Sequence, residues 1–106
     1  MNRYLVQVRC SAGTTDRERM SASTTRIRNL LAAVSGDDCS TAWTSLCGTL
    51  CGFVLRTAMP AASLHREIAL RGAVRETDHL LVVALGSDWS ATGFEGCAGW
   101  LRRSDG

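Results

Sequence analysis

At 106 residues the chain has the length of one domain, which can bury a single core without metals or disulfides as staples. Its net charge of +2 excludes attraction of polyanions by overall charge, and no window approaches the roughly 18 apolar residues of a membrane span. All twelve cationic side chains are arginine, whose planar fork suits phosphate or carboxylate, although a GC-rich coding sequence produces the same bias.

The charge is uneven. Residues 1–28 hold Arg3, Arg9, Arg17, Arg19, Arg26 and Arg28 against Asp16 and Glu18, an excess that a solvated loop also explains. The five cysteines (Cys10, Cys39, Cys47, Cys51 and Cys97) lack metal-type spacing, because no second pair or nearby histidine joins Cys47 and Cys51. Most of them are expected to be small buried hydrophobes in a reducing compartment. Met1-Asn2-Arg3 leads directly into an alternating segment rather than a signal peptide, so a cytoplasmic location is expected.

In chain order, Tyr4–Cys10 alternates, with Tyr4, Val6, Val8 and Cys10 facing one way and Leu5, Gln7 and Arg9 the other. That predicts a half-buried strand. Ser11–Ser23 is polar and reads as a mobile loop, with room for a short helical turn at Asp16–Met20. Ser23, Thr24 or Thr25 can cap the helix that follows, where Ile27, Leu30, Leu31 and Val34 fall at i, i+3, i+4 and i+7. The helix is predicted over about residues 24–35, stopped by Gly36 and Asp37-Asp38. Ala42–Leu46 is a candidate short strand that turns at Cys47-Gly48 into a longer one, Thr49–Thr57. Cys51, Phe53 and Leu55 share one face of the second strand and Gly52 and Arg56 the other, with a bulge expected near Gly48 or Gly52.

Pro60 sits in the first turn of a second helix, with Ala61, Leu64 and Ile68 on its apolar side, Arg66 outside and Gly72 at its end. Leu80–Leu85 is then an unbroken apolar run between Asp78-His79 and Gly86-Ser87-Asp88. With Val82 and Val83 at its centre, it reads as a strand buried on both faces, around which the other elements wrap. Ser87–Gly96 is a glycine-containing loop with Trp89 and Phe94, and a tail helix over about Glu95–Arg102 returns Trp100 and Leu101 to the body.

This order predicts an α+β fold over residues 1–106, a single ferredoxin-like β-α-β-β-α-β sandwich with a short C-terminal helix. Both helices lie on one face of such a sheet, so the apolar run calls for cover on the other. The tail helix or a second subunit can supply it, and a homodimer through the sheet side is expected.

Few residues carry chemistry. No nucleophile elbow or Cys-His signature accompanies His65 or His79, both read as exposed or structural. Asp37-Asp38 reads as a helix-stop turn, and Asp78 and Asp88 bracket the apolar strand at opposite ends. Gly93-Phe94-Glu95-Gly96 lacks the residues of a phosphate-binding loop. Trp89, Phe94 and Trp100 make either a platform for stacked bases or a cluster sealing the tail to the sheet; the second is favoured because aromatic burial is worth so much. No catalytic residue, metal ligand or cofactor is assigned.

Leu50–Arg103, together with Tyr4-Leu-Val, resembles the SinR-like group of small bacterial proteins, similar to the ferredoxin-like small subunit of the CRISPR adaptation complex. The features that carry the resemblance are Leu55-Arg-Thr57, a helix opened by Ala61-Ala-Ser63, Asp78-His-Leu-Leu-Val-Val-Ala-Leu, Gly86-Ser-Asp-Trp89 and the closing Trp100-Leu101. The resemblance implies a ferredoxin-like homodimer in antiviral defence. Nuclease members of the larger family carry an aspartate at the end of the first strand, where paired carboxylates hold a divalent metal. Arg9 and Cys10 stand at those positions here, and an arginine repels a metal ion. Asp16 lies six residues beyond Cys10 and would need a shifted geometry.

The expectation is therefore a cytoplasmic, dimeric, non-catalytic protein that binds RNA or DNA, or serves as an assembly subunit, in a defence or mobile-element context. Arg9 would contact the nucleic-acid backbone across the dimer, aided by Arg3 and Arg56. Two alternatives are a metal-dependent endoribonuclease or toxin using Asp16, and a small regulatory module that binds a protein partner.

Overall fold

Alternation along the first strand and helical spacing after it place the apolar side chains of both elements in one layer. The computed structural model describes residues 1–9, 17–44, 50–72, 74, 78–90 and 92–104. Its elements are β1 (Asn2–Arg9), α1 (Arg17–Ser35), β2 (Cys39–Thr44), β3 (Leu50–Thr57), α2 (Ala61–Arg71), β4 (His79–Ala84) and α3 (Glu95–Ser104). The strands form one antiparallel sheet in the order β2-β3-β1-β4. The fold is α+β. Since β1 and β2 both run antiparallel to β3, they run parallel to each other on either side of it.

The first sheet face meets α1 and α2. Tyr4, Val6 and Val8 of β1 and Cys51, Phe53 and Leu55 of β3 pack there against Ile27, Leu30 and Leu31 of α1 and Leu64 and Ile68 of α2. Full burial of a side chain of this size is worth roughly 1.5–3 kcal/mol, so this layer dominates stability. Gly72 caps α2 and lets it approach α1 closely: an added Cβ would lie 2.6 Å from the Ile68 carbonyl oxygen and 2.8 Å from Ile27 Cγ1.

Polar bonds tie the ends of these elements together. Gly36, at φ 61°, ends α1 in the left-handed region that glycine adopts without penalty. The Asp37 amide then donates to the Ala32 carbonyl at 2.8 Å, the long bond of a Schellman cap. Buried Thr57 donates through Oγ1 to the Val34 carbonyl at 2.8 Å, satisfying an orphan acceptor of the last turn of α1. The Tyr4 hydroxyl donates to the Met59 carbonyl at 2.7 Å.

The second face is covered by α3. Cys97, Trp100 and Leu101 pack on Val54 of β3, with Leu5, Ala42, Leu85 and Trp89 around them. Trp89 and Trp100 thus seal the tail helix to the sheet. Indole Nε1 of Trp100 also donates to Asp38 Oδ1 at 2.9 Å, fixing α3 to the turn after α1.

Several boundaries and one assignment differ from expectation. α1 begins at Arg17, so the second half of the expected loop Ser11–Ser23 is helical; residues 10–16 lie outside the described residues. Arg17–Ala22 lacks an apolar repeat but is rich in good helix formers. β2, Cys39–Thr44, starts three residues before the expected Ala42, while the end of the expected strand at Leu46 and the turn at Cys47-Gly48 lie outside the described residues. Its register with β3 slips between Thr41 and Trp43, so the irregularity expected near Gly48 or Gly52 lies on the strand opposite Gly52, while Gly48 falls outside the described residues. Pro60 is the N-cap of α2 rather than part of its first turn.

The larger correction concerns β4. Leu80–Leu85 is not buried on both faces: it supplies an edge strand, with Leu81 51% and Val83 40% exposed. The strand with both faces buried is β3, where Cys51 to Leu55 are all buried. An apolar run shows that a strand lacks polar side chains, but not how many neighbours it has.

Candidate functional site

The cross-strand register places the three arginines picked out by sequence. Arg3 and Arg56 are direct partners in the β1–β3 pair and share the face covered by α3. Arg9 also faces that way, but lies six residues along β1, about 20 Å from Arg3 at a rise of roughly 3.3 Å per residue. Its partners are Leu50 on β3 and the exposed His79 on β4. The structure therefore brings Arg3 and Arg56 together and leaves Arg9 at the opposite end of the sheet.

Arg3 has a structural task. Its guanidinium donates from Nη1 to the Leu101 carbonyl at 3.3 Å and from Nη2 to the Gly86 carbonyl at 2.6 Å. Leu101 is in the last turn of α3, where carbonyls lack helical partners and a cation favours the helix dipole. Arg3 thus clasps β1, the exit of β4 and the end of α3 together.

That clasp brings two further arginines to the site. Arg102 and Arg103, exposed in the last turn of α3, follow directly on the residue that Arg3 holds. Arg56, half-buried, stands beside Arg3 on the sheet. Arg56, Arg102 and Arg103 form no ion pair with a described residue. The Arg3–Arg56 pair of the sheet and the last turn of α3 thereby lie side by side at one corner of the molecule, with Nη1 of Arg103 turned back along the helix to 3.4 Å from where a Cβ on Gly99 would stand. Such a corner attracts phosphate through fork-shaped donors and charge. The sequence reading missed Arg102 and Arg103 because the tail was read only as a packing helix; a pair of arginines closing a helix was the available signal.

The aromatic residues have other roles. An added Cβ on Gly52 would sit 2.6 Å from Cδ2 of Trp43 and closer still to Cε2, so Gly52 is the seat on which that indole rests. The Phe94 ring meets Trp43 edge-on, with centroids 5.7 Å apart and an interplanar angle of 62°.

Elsewhere the chemistry is sparse. His65 and His79 are exposed. Among the described residues no group of three His, Cys, Asp or Glu side chains could hold a metal ion, and no helix is long and apolar enough to cross a membrane. Asp16, Cys10 and Cys47 lie outside the described residues. Cys97 is buried, and desolvation pushes its thiol above the ordinary value, which makes it a poor nucleophile. A cavity of about 130 Å³ between α1 and β2, lined by Arg28, Leu31, Cys39, Ser40, Thr41 and Phe53, falls short of the roughly 300–1,000 Å³ of small-molecule clefts. No protein-family model matches the chain, and neither a curated protein nor a solved structure matches it.

Proposed function

We propose that the chain is a cytoplasmic, non-catalytic, dimeric protein of the ferredoxin-like class that binds nucleic acid or serves as an assembly subunit in a defence or mobile-element system. The strand order supports the fold part of this reading. Read from β4 it runs 4-1-3-2, the order of two interleaved split β-α-β units. The defence setting follows from the resemblance of Leu50–Arg103 alone.

The observation that carries nucleic-acid binding is the gathering of Arg56, Arg102 and Arg103 beside the Arg3 clasp. Phosphate oxygens accept from such donors, and contacts of this kind position a backbone without reading its sequence. RNA and DNA are therefore both admitted. Arg3 adds charge while holding α3, and Arg9 makes a separate contact at the other end of β1. A second reading, a module that binds a protein partner, is favoured by the exposed Leu81 and Val83 on the same sheet face.

The test is to incubate the purified protein with labelled RNA and DNA, with and without magnesium or manganese, and to read mobility and cleavage on one gel. A retarded, salt-sensitive band without cutting is expected. Metal-dependent cutting that is lost in Asp16→Asn but kept in Asp88→Asn would instead establish a nuclease. Neither retardation nor cutting would leave the protein-binding module.

A further inference from the structure

Only part of the second sheet face lies under α3, which packs on Ala42, Val54, Leu5 and Leu85. Beside it the register lays out an open strip. Trp43 of β2 is opposite Gly52 of β3, Gly52 opposite Gln7 of β1, and Gln7 opposite Leu81 of β4. The neighbouring row on one side ends in Arg9 and His79, both exposed, and on the other in Leu5 and Val83. Leu81 and Val83 are 51% and 40% exposed, and Gln7 between them and Gly52 is half-buried.

An aromatic pair borders this strip. Gly52 lets the Trp43 indole lie down on β3, and Phe94 stands edge-on against that indole while staying 42% exposed. Trp89 and Trp100 are taken up in the cluster that holds α3, but Phe94 is not. Its backbone is fixed, because Gly93 before it takes a φ of 81° and its carbonyl accepts the first bond of α3, from Ala98 at 2.8 Å. A ring held this way offers a flat apolar surface at the rim of the sheet.

The charge on the face has one sign. Its positions on β1, β3 and β4 carry Arg3, Arg9 and Arg56 and no carboxylate. Arg9 is separated from the Arg3–Arg56 end by about 20 Å of strand, and Leu81, Val83 and Gln7 lie along that length. A ligand that matches this pattern has anions spaced along it and flat apolar groups between them. Nucleic acid has that composition, but in a duplex the base faces are stacked on one another and only the phosphates are offered. We infer, resting on the nucleic-acid reading above, that the strip takes a single strand, RNA or DNA. Its bases lie against Phe94, Leu81 and Val83, the Gln7 amide meets a base edge, and phosphates reach Arg9 at one end and the arginine corner at the other. Stacking of this kind is tolerant of sequence, since every base has a flat face.

Fluorescence anisotropy of the full chain tests this with one labelled strand of about 12 nucleotides, either free or annealed to its unlabelled complement. The free strand is expected to bind about tenfold or more tightly than the duplex at the same salt concentration. Phe94→Ala is expected to weaken the free strand about fivefold or more and to leave the duplex unchanged. Leu81→Ser should act in the same direction, and circular dichroism checks that both variants keep their fold. Equal or tighter binding of the duplex would overturn the inference and leave the nucleic-acid reading standing. Free-strand affinity that neither substitution lowers would also overturn it. Binding of neither form would remove the nucleic-acid reading as well, and would leave the strip to a protein partner.

Discussion

Over one face of the sheet, α1 and α2 bring Ile27, Leu31, Leu64 and Ile68 down onto Tyr4, Val6, Phe53 and Leu55, all of them buried. Over the other, α3 alone brings Cys97, Trp100 and Leu101 onto Val54, and leaves Leu81 and Val83 of β4 exposed. The first face is a finished core held by apolar area. The second is half-finished: a smaller apolar cluster around Val54 and Trp100 holds α3, together with directional bonds from Trp100 to Asp38 and from Arg3 to Leu101 and Gly86. Stability resides mainly in the first face, and the surface offered to partners lies on the second.

Substitutions that break this contrast span a wide range of effects. Leu55→Ala, in the first layer, should cost about 2–5 kcal/mol in urea unfolding, as cavity-forming changes at fully buried leucines do. Gly52→Ala should cost about 1–3 kcal/mol by lifting Trp43 from its seat, and should alter the near-ultraviolet circular dichroism. Asp38→Ala leaves the Trp100 indole without its acceptor and should cost roughly 1–2 kcal/mol, with Trp100 fluorescence reporting a loosened α3. Leu81→Ala should change the stability of a single chain by no more than about 0.5 kcal/mol, because half of the side chain is already in solvent. If Leu55→Ala and Leu81→Ala cost the same, the division between the faces is wrong.

Titration sharpens the same contrast. Burial raises the Cys97 thiol above its ordinary value, so its contribution to stability is full below that value and is lost as pH rises through the raised one. Among Cys39, Cys51 and Cys97, the half-buried Cys39 should react first with an alkylating agent at neutral pH, and the buried pair only as the protein opens. Mass spectrometry of the labelled protein checks that order.

Much of the first face is legible in the sequence. The alternation of Tyr4, Val6 and Val8, the helical spacing of Ile27, Leu30 and Leu31, and the pairing of Leu64 with Ile68 each name their own inward side. The second face is less legible because its bonds join residues far apart in the chain. Nothing near Arg3 announces a carbonyl at Leu101, and nothing near Gly52 announces an indole from the preceding strand. Gly52 read as one of two candidate places for a bulge, whereas the space its missing side chain leaves is what Trp43 fills. The Leu80–Leu85 run was misplaced for a related reason: composition distinguishes apolar strands from polar ones, but edge position depends on partners the run does not encode. Of the candidate site, Arg3 and Arg56 were found and are neighbours; Arg102 and Arg103 join them only because α3 folds back.

The corner that these arginines form carries the functional proposal, and its most direct test is the salt dependence of nucleic-acid affinity for wild type and for the triple variant Arg56→Ala/Arg102→Ala/Arg103→Ala. Each lost phosphate contact should flatten the slope of log affinity against log salt by roughly 0.7–0.9. A slope shallower by about 2–3 in the triple variant, with weaker binding at every salt concentration, is the predicted result. An unchanged slope and affinity would contradict the proposal that this corner is where the phosphate backbone is held.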